Sequence, residues 1–166
     1  SKKFNVKIIG IDMNKYAWAR QSCHKFYQVS PPAINNKYIK KIKHIIRKEN
    51  INLIIPTSDE ESLILSKYRN EIEKGNIKIA NIDHATLEIF SNKLKTYKKL
   101  KEIGIKTAKF DEINSLKQLL KLIKKRKDFV IKPLISRGSR GVFVVSNKIK
   151  NEQKFFNDRE TLKLLG

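Results

Sequence analysis

The chain has 166 residues, of which 37 are Lys or Arg and 16 are Asp or Glu, a net charge of +21, and it carries one cysteine. That length suits one medium domain or two small ones and can bury a real core, and 40% hydrophobic residues exclude a disordered basic tail. No run approaches the ~18 to 20 consecutive apolar residues of a membrane-spanning helix, residues Ser1 to Asn5 form no signal-peptide core, and a lone Cys23, unable to close an internal disulfide, fits the cytoplasm.

The charge invites a nucleic-acid reading, because an excess of cations condenses on phosphate. Its make-up argues against one. There are 30 Lys but only 7 Arg, beside 24 Ile and 14 Asn, a joint excess expected of an AT-rich coding sequence. Phosphate-reading surfaces favour Arg, whose fork grips two oxygens at once, and the Lys are spread along the whole chain.

Phe4 to Ile11 reads as a strand with a polar exit at Asp12. Asn14 to His24 is expected to form a short helix with Ala17, Trp18 and Cys23 on its buried side, and Phe26 to Val29 a brief strand stopped by Pro31-Pro32. Tyr38, Ile39, Ile42, Ile45 and Ile46 recur at helical spacing. Ile51 to Ile55 is a continuous apolar run, as expected of a parallel strand covered on both faces. After Pro56, a helix capped by Thr57, Ser58 or Asp59 carries Leu65, Tyr68 and Ile72, and Ile77 to Ile79 is another strand. Strands alternating with helices in this order imply a parallel sheet with right-handed crossovers.

The pattern changes after about residue 84, and a domain boundary is placed near residues 83 to 92. A helix with Leu94, Tyr97 and Leu100 ends at Gly104, followed by an extended stretch from Thr107 to Phe110. Leu116, Leu119, Leu120 and Ile123 form the stripe of a second helix. Phe129 to Ile131 and Val142 to Val145 are strands flanking a loop too long for a two-residue hairpin.

That loop carries the chemistry. Between Pro133 and Val142 lie Ser136, Arg137, Gly138, Ser139, Arg140 and Gly141. The glycines permit positive φ and close approach, so backbone N–H groups can converge on one anion. The two hydroxyls and two guanidinium groups add donors and charge, and a triphosphate is the natural occupant. The loop is neither a Walker A motif nor G-x-G-x-x-G. On its own it is also compatible with a basic hairpin tip whose glycines merely allow a turn.

Ile131-Lys132-Pro133 with Ser136-Arg137-Gly138-Ser139-Arg140-Gly141-Val142 resembles the strand and phosphate-closing loop of the ATP-grasp superfamily. Ser91-Asn92-Lys93-Leu94-Lys95-Thr96-Tyr97, Leu100 and Gly104-Ile105-Lys106-Thr107 resemble the helix and exit that precede it there. Ile54-Ile55-Pro56-Thr57-Ser58-Asp59-Glu60-Glu61 is similar to the Rossmann-like domain before it in carbamoyl-phosphate-synthase-like members. These motifs stand in the family's order and span nearly the whole chain. The implied fold is α/β: an incomplete Rossmann-like parallel sheet (pre-ATP-grasp domain) over residues 1–88, then a small α+β ATP-grasp N-terminal subdomain over 89–166.

The resemblance implies that Lys93 and Lys132 contact nucleotide, with Ser136, Arg137, Gly138, Ser139, Arg140 and Gly141 closing over the phosphates. Lys93 also sits among Lys95, Lys98 and Lys99, where helical lysines commonly face water, and the Asp that the family commonly places before it is Asn92 here. Asp59 and Glu60 fall on the edge that faces the acceptor substrate in the family, and read equally as acids favoured by a helix dipole. Asp12 reads as a loop cap.

The chemistry implied is that of an ATP-dependent carboxylate–amine or carboxylate–ammonia ligase acting through an acyl phosphate. ATP and a small carboxylate are its partners, Mg²⁺ bridges the phosphates, and no membrane or nucleic acid is involved. The Glu-x-Asn pair that helps hold the metal in the family is not found after the loop, and Glu49-Asn50 is adjacent and misplaced. No metal ligand is therefore assigned to this chain. The first strand also lacks the preceding strand and glycine-rich turn usual in the family. The chain is accordingly expected to be an internal fragment that binds ATP and is inactive alone. The alternative reading is a basic module binding nucleic acid or acidic partners.

Overall fold

The stripe Tyr38, Ile39, Ile42, Ile45 and Ile46 organises the first half of the chain. In a computed structural model, which describes residues 6–126, 128–136 and 141–146, these five side chains are buried along helix α1 (Asn35–Glu49). The helix ends at Asn50, whose φ of 53° is the left-handed cap conformation that Asn tolerates. The chain divides into two units, Ser1–Leu87 and Glu88–Gly166.

In the first unit β1 (Ile9–Asp12) pairs in parallel with β2 (Lys25–Gln28), and β3 (Leu53–Ile54) pairs in parallel with β4 (Lys78–Ile79). Among the described residues these remain two separate two-stranded sheets, yet they share one core. Ile9, Ile11, Tyr27 and Ile54 pack on the cluster that α1 forms with Val29, Ile64, Leu65, Ile72 and Ile79. Ile64 and Leu65 come from α2 (Asp59–Lys67), and Ile72 from α3 (Arg69–Ile72). Ser58 caps α2 by accepting from the Glu61 N–H at 3.2 Å, and Glu61 reaches back to the Thr57 N–H at 3.3 Å. Tyr38 is fully buried and donates its hydroxyl to Glu61 at 3.2 Å. Burial, reinforced by the Glu61 charge, pushes the Tyr38 phenol far above its ordinary value.

At the far end of α1, Glu49 is buried although a carboxylate there opposes the helix dipole. Cations and a phenol offset that cost. Lys25 donates to one carboxylate oxygen at 2.6 Å, Tyr27 to the same oxygen, and Lys7 to the other at 2.9 Å. The Lys25 hydrogen bond, followed by those from Tyr27 and Lys7, holds the Glu49 carboxyl at about 2, well below 4.5.

In the second unit α5 (Lys93–Glu102) and α6 (Leu116–Lys125) precede β5 (Asp128–Ile131), which pairs antiparallel with β6 (Phe143–Ser146). A short α4 (His84–Phe90) spans the division between the units. Gly104 follows α5 at φ 78°, the conformation expected of a glycine past a helix end. The fold class is the α/β arrangement expected from the sequence, with parallel strand pairs first and an antiparallel pair after.

Several expectations are corrected. Trp18 is 90% exposed, and the segment after β1 is a 3₁₀ turn over Trp18–Ser22 instead of a helix with a buried tryptophan. Asp12 accepts from the Asn14 N–H at 2.7 Å, and Asn14 accepts from the Tyr16 N–H at 3.0 Å. These side-chain turns compete with helical bonding and divert the backbone. The first strand begins at Ile9, residues 6–8 standing outside it, and Phe4 lies outside the described residues. The run Ile51 to Ile55 is not covered on both faces: Ile54 enters the core while Leu53 and Ile55 are 54% and 65% exposed. With one paired neighbour and the core on one side, alternate residues of β3 point outward. The α6 stripe is covered only in part, with Leu116 and Leu120 70% and 51% exposed while Leu119 and Ile123 are half-buried.

Leu65, 1% exposed at the centre of the first core, is expected to cost about 2–5 kcal/mol on substitution by Ala, measured by urea denaturation. Because the Glu49 carboxyl is held down in the fold, its stabilising effect is complete above pH 4.5 and is lost as pH falls from there through about 2. Glu49→Gln is expected to flatten that part of the stability–pH curve, while an unchanged acid limb would contradict the role assigned to the carboxylate.

Candidate functional site

Within the second unit, α5, the segment 108–114, the end of α6 and β5 enclose a cleft of about 650 Å³, in the range of small-molecule sites. Lys93 and Lys132 both line it, so the structure brings together the two lysines singled out in the sequence. Lys132 lies just past β5 and is exposed. The strand before it alternates, with Phe129 and Ile131 half-buried and Asp128 and Val130 exposed.

Lys93 is the first residue of α5. Asn92 caps this helix, its side-chain oxygen accepting from the N–H groups of Leu94 at 3.0 Å and Lys95 at 3.1 Å. A neutral amide thus does the capping that an Asp would do. The Lys93 N–H donates to the Leu134 carbonyl at 2.9 Å, and its ammonium donates to the Ser136 hydroxyl at 2.9 Å and the Ser136 carbonyl at 3.2 Å. Lys93 is therefore not one of a row of solvated lysines; it is tied to the segment that leaves β5.

Ser136 and Gly141 stand at either side of the loop. Gly141 has φ 68°, and a Cβ placed there would come within 2.8 Å of Pro133 Cγ. The ring of Pro133 thus packs where only glycine leaves room, and the two ends of the loop meet. Arg137, Gly138, Ser139 and Arg140, four of the expected phosphate contacts, lie outside the described residues.

One wall of the cleft was not anticipated. Tyr97 stacks on Phe110 with centroids 5.2 Å apart and planes at 18°, and Arg126 bonds Asp111 at 2.6 Å, fixing the extended segment to the end of α6. Both aromatic positions stand out in the sequence, but nothing local pairs them. The cleft therefore offers aromatic and aliphatic surface beside Lys93, Lys109 and Lys132, with Asp111, Glu112 and Asp128 also in its lining, and such a surface with its cations can take a flat apolar ring joined to an anion.

Asp59 and Glu60 are exposed in the first turn of α2, in the other unit. Among the described residues no group of three His, Cys, Asp or Glu side chains converges as metal ligands would. No helix of the described residues is long and apolar enough to cross a membrane. Of the histidines, His24 accepts from the Ile8 N–H at 3.0 Å and His84 lies 2.9 Å from the Ser66 hydroxyl.

The geometry defines a two-unit α/β chain whose second unit holds a cleft lined by aromatic, basic and acidic side chains. Residues 1–80 match the family model described as PylC-like, N-terminal domain. Among solved structures, the chain is similar to the biotin carboxylase domain of the Hydrogenobacter thermophilus 2-oxoglutarate carboxylase, crystallised with MgADP, ADP and bicarbonate. That likeness has a TM-score of 0.61 at 14% identity and covers 86% of this chain and 33% of that one, so the chain spans about a third of the length of its structural relative. No curated protein matches the chain in sequence. Both likenesses agree with the resemblance to the ATP-grasp superfamily, and neither names a carbamoyl-phosphate synthase. Nor does either favour the alternative of a basic binding module.

Gly141→Ala is expected to cost about 1–2 kcal/mol from its positive φ alone, with Pro133 displaced in addition. A thermal melt of the purified variant measures the first effect, and weakened ligand binding the second.

Proposed function

We propose that this chain holds the nucleotide of an ATP-dependent carboxylate–amine or carboxylate–ammonia ligase of the carbamoyl-phosphate-synthase-like kind. The observation that carries the reading is the convergence of Lys93 and Lys132 on one cleft, with Lys93 bonded to the base of the loop that follows β5. The PylC-like match of the first unit and a fold shared with a domain crystallised with MgADP and bicarbonate support it.

In this scheme the substrate carboxylate attacks the γ-phosphorus of ATP, ADP leaves, and an acyl phosphate forms. An amine or ammonia then displaces phosphate. Lys93 and Lys132 neutralise charge on the transferring phosphoryl group, and the residues from Ser136 to Gly141, Arg137, Gly138, Ser139 and Arg140 included, close over it. Tyr97, Phe110 and Phe129 supply apolar surface for the base. No side chain of this chain is required as nucleophile or general base. Asp59 and Glu60 are assigned to the carboxylate side. Mg²⁺ would supply charge neutralisation on the phosphates in such chemistry and is given no ligand among these residues, and the chain alone is read as binding ATP without turning it over.

Calorimetric titration with a non-hydrolysable ATP analogue tests the reading. Wild type is expected to bind and Lys132→Ala to weaken binding by roughly tenfold or more, the scale of one lost charge-assisted contact. Equal affinities, or no binding by wild type at millimolar ligand, would overturn the assignment.

A further inference from the structure

The second unit contains a feature that the nucleotide reading does not require: a lysine held in place by neutral groups. We infer that Ser136 is a positioning residue for Lys93, fixing its ammonium at the mouth of the loop before any ligand arrives. The inference rests on the reading of the cleft as a nucleotide site.

Lys93 occupies the first position of α5, where the peptide dipole disfavours a cation, and the first turn holds no acid to compensate. A long, flexible side chain in such a place would be expected to swing into water. It is instead half-buried and clasps the chain leaving β5 at three points: backbone N–H to the Leu134 carbonyl at 2.9 Å, and ammonium to the Ser136 carbonyl at 3.2 Å and hydroxyl at 2.9 Å. Both oxygens that hold the ammonium are neutral, so its charge is localised without being cancelled. An ammonium has three N–H groups, and two of them are used on Ser136.

The consequence is preorganisation. The third N–H is left for an anionic oxygen, and the Ser136 hydroxyl, which accepts from Lys93, keeps its own proton to donate to the same oxygen. A phosphate oxygen that enters meets two donors already in register, so the rotamers of Lys93 need not be frozen at the moment of binding. The Ser136 carbonyl alone would hold the ammonium by a single bond and leave it able to pivot.

The test compares the full chain with Ser136→Ala, Ser136→Thr and Lys93→Gln. Without nucleotide, the Lys93 ammonium resonance in ¹⁵N-lysine NMR, identified by its loss in Lys93→Gln, is expected to stand apart in wild type and Ser136→Thr. In Ser136→Ala it is expected to merge with the solvated lysines. With a non-hydrolysable ATP analogue, Ser136→Ala is expected to weaken binding roughly three- to tenfold, and Ser136→Thr to restore it. If wild type and Ser136→Ala bind equally, the positioning role fails and the nucleotide reading stands. If wild type binds no nucleotide, that reading fails. In that event the positioning role falls with it, and the Lys93 resonance reports only whether Ser136 holds the ammonium. Thermal melts of the variants confirm that each is folded.

Discussion

The chain leaves β5 at Ile131 and must return at Phe143, its partner across the antiparallel pair. Two packing facts hold the described ends of that connection. Pro133 fits against the glycine at 141, where φ is 68° and a Cβ would clash at 2.8 Å. Lys93 clasps Leu134 and Ser136 from the start of α5. The bonds of Lys93 set α5 against the exit of β5, and Lys93 and Lys132 both line the cleft between these elements. The stacked Tyr97 and Phe110 and the Arg126–Asp111 pair then fix the facing segment.

The first unit is held by a different constraint. One helix, α1, supplies five buried side chains to a core shared by two separate parallel strand pairs. Its last residue, Glu49, faces the cost of a buried carboxylate at the wrong end of a helix dipole, and Lys7, Lys25 and Tyr27 offset it. Lys25 and Tyr27 belong to β2, so the contact also ties the helix end to the strand, and part of the abundant lysine does structural work.

How much could be read from the sequence depends on the range of the cause. The α1 stripe, the Ser58 cap, the strands around the loop and the break at Gly104 follow from local periodicity, capping chemistry and backbone freedom, and all were legible. So were the positions of Lys93 and Lys132, through their motifs. Trp18 misled because successive side-chain turns at Asp12 and Asn14 overrode helical spacing. Leu53 and Ile55 misled because an apolar run does not reveal how many neighbours its strand has. The Tyr97–Phe110 stack, the clasp of Lys93 on Ser136 and the cations around Glu49 join residues distant in the chain.

Backbone amide shifts of the full chain, followed while Mg²⁺ and a non-hydrolysable ATP analogue are added, test the central claim most directly. The account predicts saturable shifts at Lys93, Lys132, Ser136 and Gly141, with the core around Leu65 unmoved. Shifts confined to the first unit, or none at millimolar ligand, would contradict it.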